Sequence, residues 1–280
     1  MVVCQIAYAR LTPATRAEVD RLLPLFRRYQ TFAESCTYPD NPPILGARHY
    51  INYPRALRDV ADGNCGTQPQ GICILRALRE NLAVLSTPTG DQTARAQSLY
   101  LVGHWVGDIH QPLHASFEDD RGGGTVAVAG RPCVMTSRAQ GIRRDFDNLH
   151  KVWDRCILEV HIFRESMGFP EVGPANRLQY VQRAATTLNG RISQSESSAW
   201  LRSRDHWRWA GESYTLATRR EVGYCARRQG QCRGNRSAVI DAAYLARFAP
   251  DVERRIQTAG VRLADLLNRS LDPAYRAANP

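Results

Sequence analysis

Seven histidines and aspartates of this 280-residue chain fall at spacings that suit a divalent metal. In GHWVGDIHQPLH, His104 and Asp108 stand one helical turn apart, so both side chains leave the same face of a helix and can meet one cation. Pro112 ends that helix, and His114 follows where the chain can turn back toward a second metal. NLHKVWD repeats the device with His150 and Asp154. Upstream, Asp40 in CTYPD and His49 in ARHYINYP lie in a Pro- and Asn-rich loop, where a polar side chain can be aimed inward. A lone helical His/Asp pair is more often a surface hydrogen bond or salt bridge. Two such pairs and an HQPLH turn weigh against that. Imidazole and carboxylate without thiolate suit zinc, with manganese and iron as weaker candidates. His110 falls off the ligand face, and His161 and His206 read as structural.

The elements that must carry these residues are mostly helical. Thr12-Pro13 is a cap with proline in the first turn, and Leu22, Leu23, Leu25 and Phe26 supply an apolar face. Turn residues at 87–91 lead into a periodic run that reaches Ile109 before Pro112 stops it. Helical spacing returns over Asp145–Val160, Ala175–Ile192, Ala199–Val222 and Ala238–Leu267. Between Gly122 and Met135 the glycine-rich run passes into TVAVAGRPCVM, which alternates and turns at Gly130, so a short β-hairpin is expected near 123–135. The expectation is a mainly α, single-domain protein over 1–280, with no internal repeat or linker.

Composition narrows the partners. Hydrophobic residues make up 43% of the chain, and no stretch approaches the roughly 18 apolar residues of a membrane span. The net charge of +10 rests almost entirely on arginine, the side chain suited to bidentate phosphate contact. Arginine excess also follows from a GC-rich genome, so charge alone gives a polyanionic substrate about even odds. Eight cysteines, with Cys65/Cys73, Cys225/Cys232 and Cys4/Cys36 as local pairs and no C-x-x-C knuckle, point to disulfides and an oxidising compartment. The N-terminus MVVCQIAYARL carries no signal-peptide pattern, which conflicts with export.

At these residues the chain resembles the zinc-dependent single-strand nucleases with 3'-nucleotidase activity, of the fungal S-one and P-one type. These share a helical fold with bacterial zinc phospholipases C. GDIHQPLH, the following glycine pair, NLHKVWD and WRWAGES occur in the family's order over most of the chain. The resemblance implies one zinc on Asp40, His49, His104 and Asp108, and another on His114, His150 and Asp154. A third zinc in the family takes an N-terminal tryptophan, a histidine five residues later and the bridging carboxylate matching Asp108. VCQIAY aligns just after that histidine, so the expectation is a truncated start, an incomplete third site, and a secreted or periplasmic full-length form.

Gly124 stands where relatives often have asparagine, and Asn52 where fungal members place an aspartate. A fungal arginine in the loop after the first aspartate is replaced by Pro42 and Pro43, which leaves Arg48 as its substitute. Arg48 and Asn52 are therefore the expected substrate contacts. The implied activity is in-line hydrolysis of single-stranded DNA and RNA to 5'-phosphate products, with Asp40 and Asp108 as the catalytic carboxylates and no stable protein partner. Tyr50, Tyr53, Phe117 and Phe146 are candidate base-stacking rings, although core packing is the better prior for each. Two alternatives remain. A phospholipase C-type enzyme would present an apolar rim, and a non-catalytic nucleic-acid-binding protein would carry saturated structural metals. Three ligands on the His114 metal favour catalysis.

Overall fold

The computed structural model describes residues 1–27, 29–56, 65, 71–130, 134–137, 142–168, 176–229 and 231–278. Its helices in chain order are α1 (Val2–Ala9), α2 (Pro13–Leu22), α3 (Phe32–Ser35), α4 (Ile74–Leu85), α5 (Gln92–His110), α6 (Leu149–Lys151, continuing with wider π-type winding through Val152–Ser166), α7 (Arg177–Gly190), α8 (Gln194–Trp200), α9 (His206–Ala217), α10 (Ala242–Leu271) and α11 (Pro273–Ala278). The short strands are β1 (Ile51–Asn52), β2 (Ala115–Ser116), β3 (Ala127–Ala129), β4 (Val134–Ser137), β5 (Ile142–Asp145), β6 (Cys225–Arg228), β7 (Gln231–Gly234) and β8 (Ser237–Val239). The protein is mainly helical.

Local chemistry starts these helices where the sequence places the caps. The Thr12 hydroxyl accepts the Thr15 amide and Pro13 occupies the first turn of α2, a cap worth about 1 kcal/mol. Thr31 with Glu34 and Ser193 with Glu196 form reciprocal capping boxes on α3 and α8. Asp91 caps α5 through the Thr93 and Ala94 amides.

The long helix α5 is the axis of the fold. Leu99, Tyr100, Val102, Trp105, Val106 and Ile109 are fully buried on several of its faces, against α1, α4, α9 and α10. A helix hydrophobic all round belongs in a core. Two glycines allow the closest approaches. A Cβ on Gly103 would meet the Cys36 sulfur at 2.4 Å, and one on Gly260 of α10 would meet Ile6 of α1 at 2.5 Å. The Cys4–Cys36 disulfide thus lies directly against α5, one residue before His104.

Four two-stranded pairings tie loops to this helical body. β1 pairs in parallel with β2, so the residues after His49 and after His114 run side by side. β3 pairs in parallel with β8 rather than with its sequence neighbour. The hairpin expected near 123–135 is displaced toward the C-terminus: its antiparallel strands are β4 and β5. The Gly130 turn does not close it, because β3 finds its partner about a hundred residues later. β6 and β7 form a second hairpin, bridged by Cys225–Cys232. Cys65–Cys73 is also joined, as its spacing suggested. No described helix is long and apolar enough to cross a membrane.

Candidate metal centre

Two groups of side chains converge in one cleft of about 730 Å³: Asp40, His49 and His104 in one, His114, His150 and Asp154 in the other. Within each group the nearest ligand atoms lie within 4.8 Å of one another. Asp108 stands between them. Its Oδ2 is 3.0 Å from His49 Nδ1, 3.1 Å from His104 Nε2 and 3.6 Å from His114 Nδ1. All seven residues singled out in the sequence therefore meet at one place.

The hydrogen bonds behind the imidazoles say what the front nitrogens are for. A carbonyl oxygen can only accept, so a ring nitrogen facing one must carry the proton. His104 Nδ1 donates to the Cys36 carbonyl at 2.7 Å, and His49 Nε2 to the Ile44 carbonyl at 2.8 Å. His114 Nδ1 donates to the His49 carbonyl at 2.7 Å, and His150 Nδ1 to the Gly122 carbonyl at 2.8 Å. In every case the other nitrogen points into its cluster, where it can offer a lone pair to a metal. This outer-shell arrangement fixes the tautomer of metal-ligating histidines. The front nitrogens of His49 and His104 lie 3.1 Å apart with three carboxylate approaches beside them. Two lone pairs that close repel unless a cation lies between, so the donor set fits a divalent metal.

The backbone explains how sequence-distant residues reach these positions. His49 closes a 3-10 turn over Gly46–His49 at the end of the proline-rich loop, and His114 closes another over Pro112–His114. The β1/β2 register then sets the two turns side by side. The Gly122 carbonyl reaches His150 because Val128 and Leu149 exchange backbone bonds with Asp147 and Val126 across the base of α6. Gly122 itself has φ +61°, and a Cβ there would meet the Leu113 carbonyl at 2.6 Å. Trp105 packs edge-on against both His49 and His104, which leaves their rings little room to turn.

Electrostatics follow from this crowding. Burial opposes a charge on His114, yet the Asp108 and Asp154 carboxylates override it and hold the imidazolium up to about 10. Burial would raise Asp108, but His104 and His114 hold its carboxyl well below the usual range, and His150 and His114 do the same for Asp154. The site favours concentrated positive charge, whether protons or a metal.

Four polar residues that spacing did not reveal line the cleft. Gln111 caps the Pro112–His114 turn through its carbonyl and donates its amide to Asp154 Oδ1, linking α5 to the second cluster. Arg121, at φ +53°, lines the cleft beside Gly122; among the described residues it has no acidic partner. Arg155 and Arg255 line it too, but are paired with Glu159 and Glu212.

The expected substrate contacts sit elsewhere. Arg48 is bound to Glu80 at 2.6 Å, Asn52 is buried in β1, and neither lines the cleft. Of the candidate stacking rings, Tyr53, Phe117 and Phe146 are buried core and Tyr50 lines the cleft. His110 is off the ligand face as expected but not solvent-facing: Nδ1 donates to Val106 and Nε2 accepts from Arg262, so neither nitrogen is free. Met1, Val2 and Val3 line the same cleft.

Similarity to known proteins agrees with this geometry. The chain is 26% identical to Endonuclease 4 of Arabidopsis thaliana over 95% of its own length and 86% of that protein's. Endonuclease 5 of the same plant is also 26% identical, over 95% and 87%. Endonuclease 2 is 30% identical over 56% of this chain and 54% of its own length, so that alignment spans about half of the relative. The family profile described as S1/P1 Nuclease matches residues 1–272, and the chain belongs to that family.

Proposed function

We propose that this protein is a zinc-dependent endonuclease that hydrolyses phosphodiester bonds of single-stranded DNA and RNA to 5'-phosphate products, with 3'-nucleotidase activity at the same cleft. The observation that carries this is the set of four histidines, each with its outer nitrogen donated to a backbone carbonyl and its inner nitrogen free beside an aspartate. Asp40, His49, His104 and Asp108 would hold one zinc, and His114, His150 and Asp154 another. Bound zinc would supply an acidified water near neutral pH and a Lewis acid for the phosphoryl oxygens.

The chain's own residues do the rest. Asp108 reaches His49 and His104 with one oxygen and would orient both in the first cluster. Asp40, whose side chain is 65% exposed, would take the proton of the attacking water. Arg121, unpaired at the His150 end, is available to grip a phosphate. Gln111 keeps Asp154 facing its cluster. The second cluster offers three protein ligands, which leaves a position for a substrate oxygen.

A phospholipase would need an apolar rim, and of the exposed large apolar side chains, Leu25, Leu45, Val84 and Val239, only Leu45 lines the cleft. The nuclease reading is therefore preferred. Three disulfides support an oxidising, secreted or periplasmic setting. The test is metal content together with hydrolysis of single-stranded and duplex DNA, before and after chelation. Zinc-dependent cleavage favouring single strands is expected; bound zinc with no hydrolysis of DNA, RNA or 3'-nucleotides would refute it.

A further inference from the structure

The β6/β7 hairpin has two chemically opposite faces. In the antiparallel register Ala226 opposes Arg233 and Arg228 opposes Gln231, so Arg228 and Arg233 project from one face. Cys225 and Cys232 belong to the other face, where they are bridged and almost fully buried. Arg228, Arg233 and the following Arg236 are exposed, and among the described residues none has a carboxylate partner. Like charges on one face of a strand pair repel. Several exposed arginines elsewhere are paired, Arg21 with Glu18, Arg76 with Glu80, Arg191 with Glu253 and Arg219 with Asp251. The hairpin is held out as a bare cationic face on a covalently closed frame.

Its position relative to the metal centre is fixed by a continuous chain of bonds. The Cys232 amide donates to the Arg55 carbonyl at 2.9 Å. The Arg55 guanidinium binds Asp119 and Asp120, each at 2.6 Å, and so offsets one of their two negative charges. Asp120 Oδ1 accepts the Gly123 amide at 2.9 Å, and the Gly122 carbonyl holds His150. A second, smaller cavity is shared by Arg55, Asp120, Thr125 and Arg236, and Arg121 lies one residue beyond Asp120 in the main cleft. Cationic groups therefore lie on both sides of the Arg55-bridged 119–120 pair, Arg121 in the cleft and Arg236, Arg233 and Arg228 toward the outer face of the hairpin.

We propose that Arg228, Arg233 and Arg236 form an accessory binding site for the phosphate backbone of a single strand too long to be contained in the cleft. The assignment rests on the nuclease reading of the cleft and adds an anchoring surface outside it. Arginine forks suit phosphate oxygens, and a disulfide-closed hairpin presents them with little backbone ordering cost. The consequence is selective: long strands gain affinity and short substrates do not.

The test compares the wild type with the R228Q/R233Q/R236Q variant, which leaves both cysteines and the whole cleft intact. On a thirty-nucleotide oligothymidylate at low salt, KM is expected to rise about tenfold, while kcat/KM on a dinucleotide is unchanged. The slope of log affinity against log salt should fall by about 2, from three contacts at about 0.7 each. Fluorescence anisotropy with labelled oligothymidylate in chelator reads binding without turnover. If neither protein cleaves nucleic acid with zinc, the nuclease reading fails while anisotropy still decides the surface. Unchanged oligonucleotide affinity and salt slope in the variant would overturn the assignment. So would a variant that loses binding only to anionic lipid vesicles, which would make the face a membrane contact.

Discussion

His104 and Asp108 ride the final turns of α5, a helix buried on several faces, and His104 is 6% exposed with its outer nitrogen on a carbonyl beside the Cys4–Cys36 bridge. His150 and Asp154 ride the start of α6, where the winding widens, and their side chains are 26% and 32% exposed. The same four-residue spacing thus serves two purposes. The first pair is a fixed element of the core whose carboxylate His49 and His104 share. The second faces solvent, with its histidine held by a glycine carbonyl in a surface turn. Rigidity sits on the α5 side and access on the α6 side, which is the division a hydrolytic metal centre needs.

The largest expected effect tests the shared carboxylate. Asp108→Asn should lower kcat by more than about 100-fold, beyond the 10- to 100-fold typical of losing only an outer-shell partner. Because Asp108 faces His49 and His104, metal analysis should show loss from the first cluster; loss from the second alone would break the picture of a ligand shared by those two histidines. Next, graded chelation followed by metal analysis should empty the more exposed His114, His150 and Asp154 cluster first. Asp154→Asn should abolish only that early step. Release of both metals in a single step at the same chelator concentration in wild type and variant would contradict the rigid-versus-open contrast.

The third test addresses what stiffens the α5 side. Replacing Cys4 and Cys36 by serine removes a crosslink spanning 32 residues, expected to cost about 3 kcal/mol of unfolding free energy. It should also weaken metal binding at the Asp40, His49 and His104 cluster more than at the other, since the Cys36 carbonyl orients His104. Equal weakening would mean the bridge acts on global stability alone.

The smallest effect concerns histidines outside the clusters. Burial lowers His206 to about 4, with Asp205 opposing. Its folded pKa lies below the ordinary 6.5, so the unfolded chain takes up the proton first as pH falls. That contribution to stability is present at neutral pH and is lost from about 6.5 down to about 4. His206→Gln should flatten the fall in thermal midpoint across that window, measured against wild type.

The sequence was most informative where chemistry is local. His/Asp pairs one turn apart, a proline stopping a helix, and capping side chains all write themselves within a few residues, and α5 begins and ends where Asp91 and Pro112 place it. Arg121 was invisible because it earns its place through a left-handed backbone in a turn, and no spacing signals that. The hairpin register was misplaced because alternation in TVAVAG reports a strand but not its partner, and β3 pairs with β8 across the chain. Arg48 read as a phosphate ligand from its place beside His49, yet Glu80 from α4 claims it. Such competition between distant charges cannot be read along a sequence. α4 itself, with Ile74, Leu78 and Leu85 on its buried side, shows a helical stripe that the metal motifs drew attention away from.

The bond from His114 Nδ1 to the His49 carbonyl makes one cluster hang from the backbone of the other. A cation that immobilises His49 also fixes the acceptor that aims His114, so filling the first cluster prepays part of the ordering that the second requires. Linkage makes the relation reciprocal: whatever free energy the first metal lends the second, the second returns. The first ion is then expected to strengthen binding of the second, so that the exposed cluster fills after the core one and empties before it.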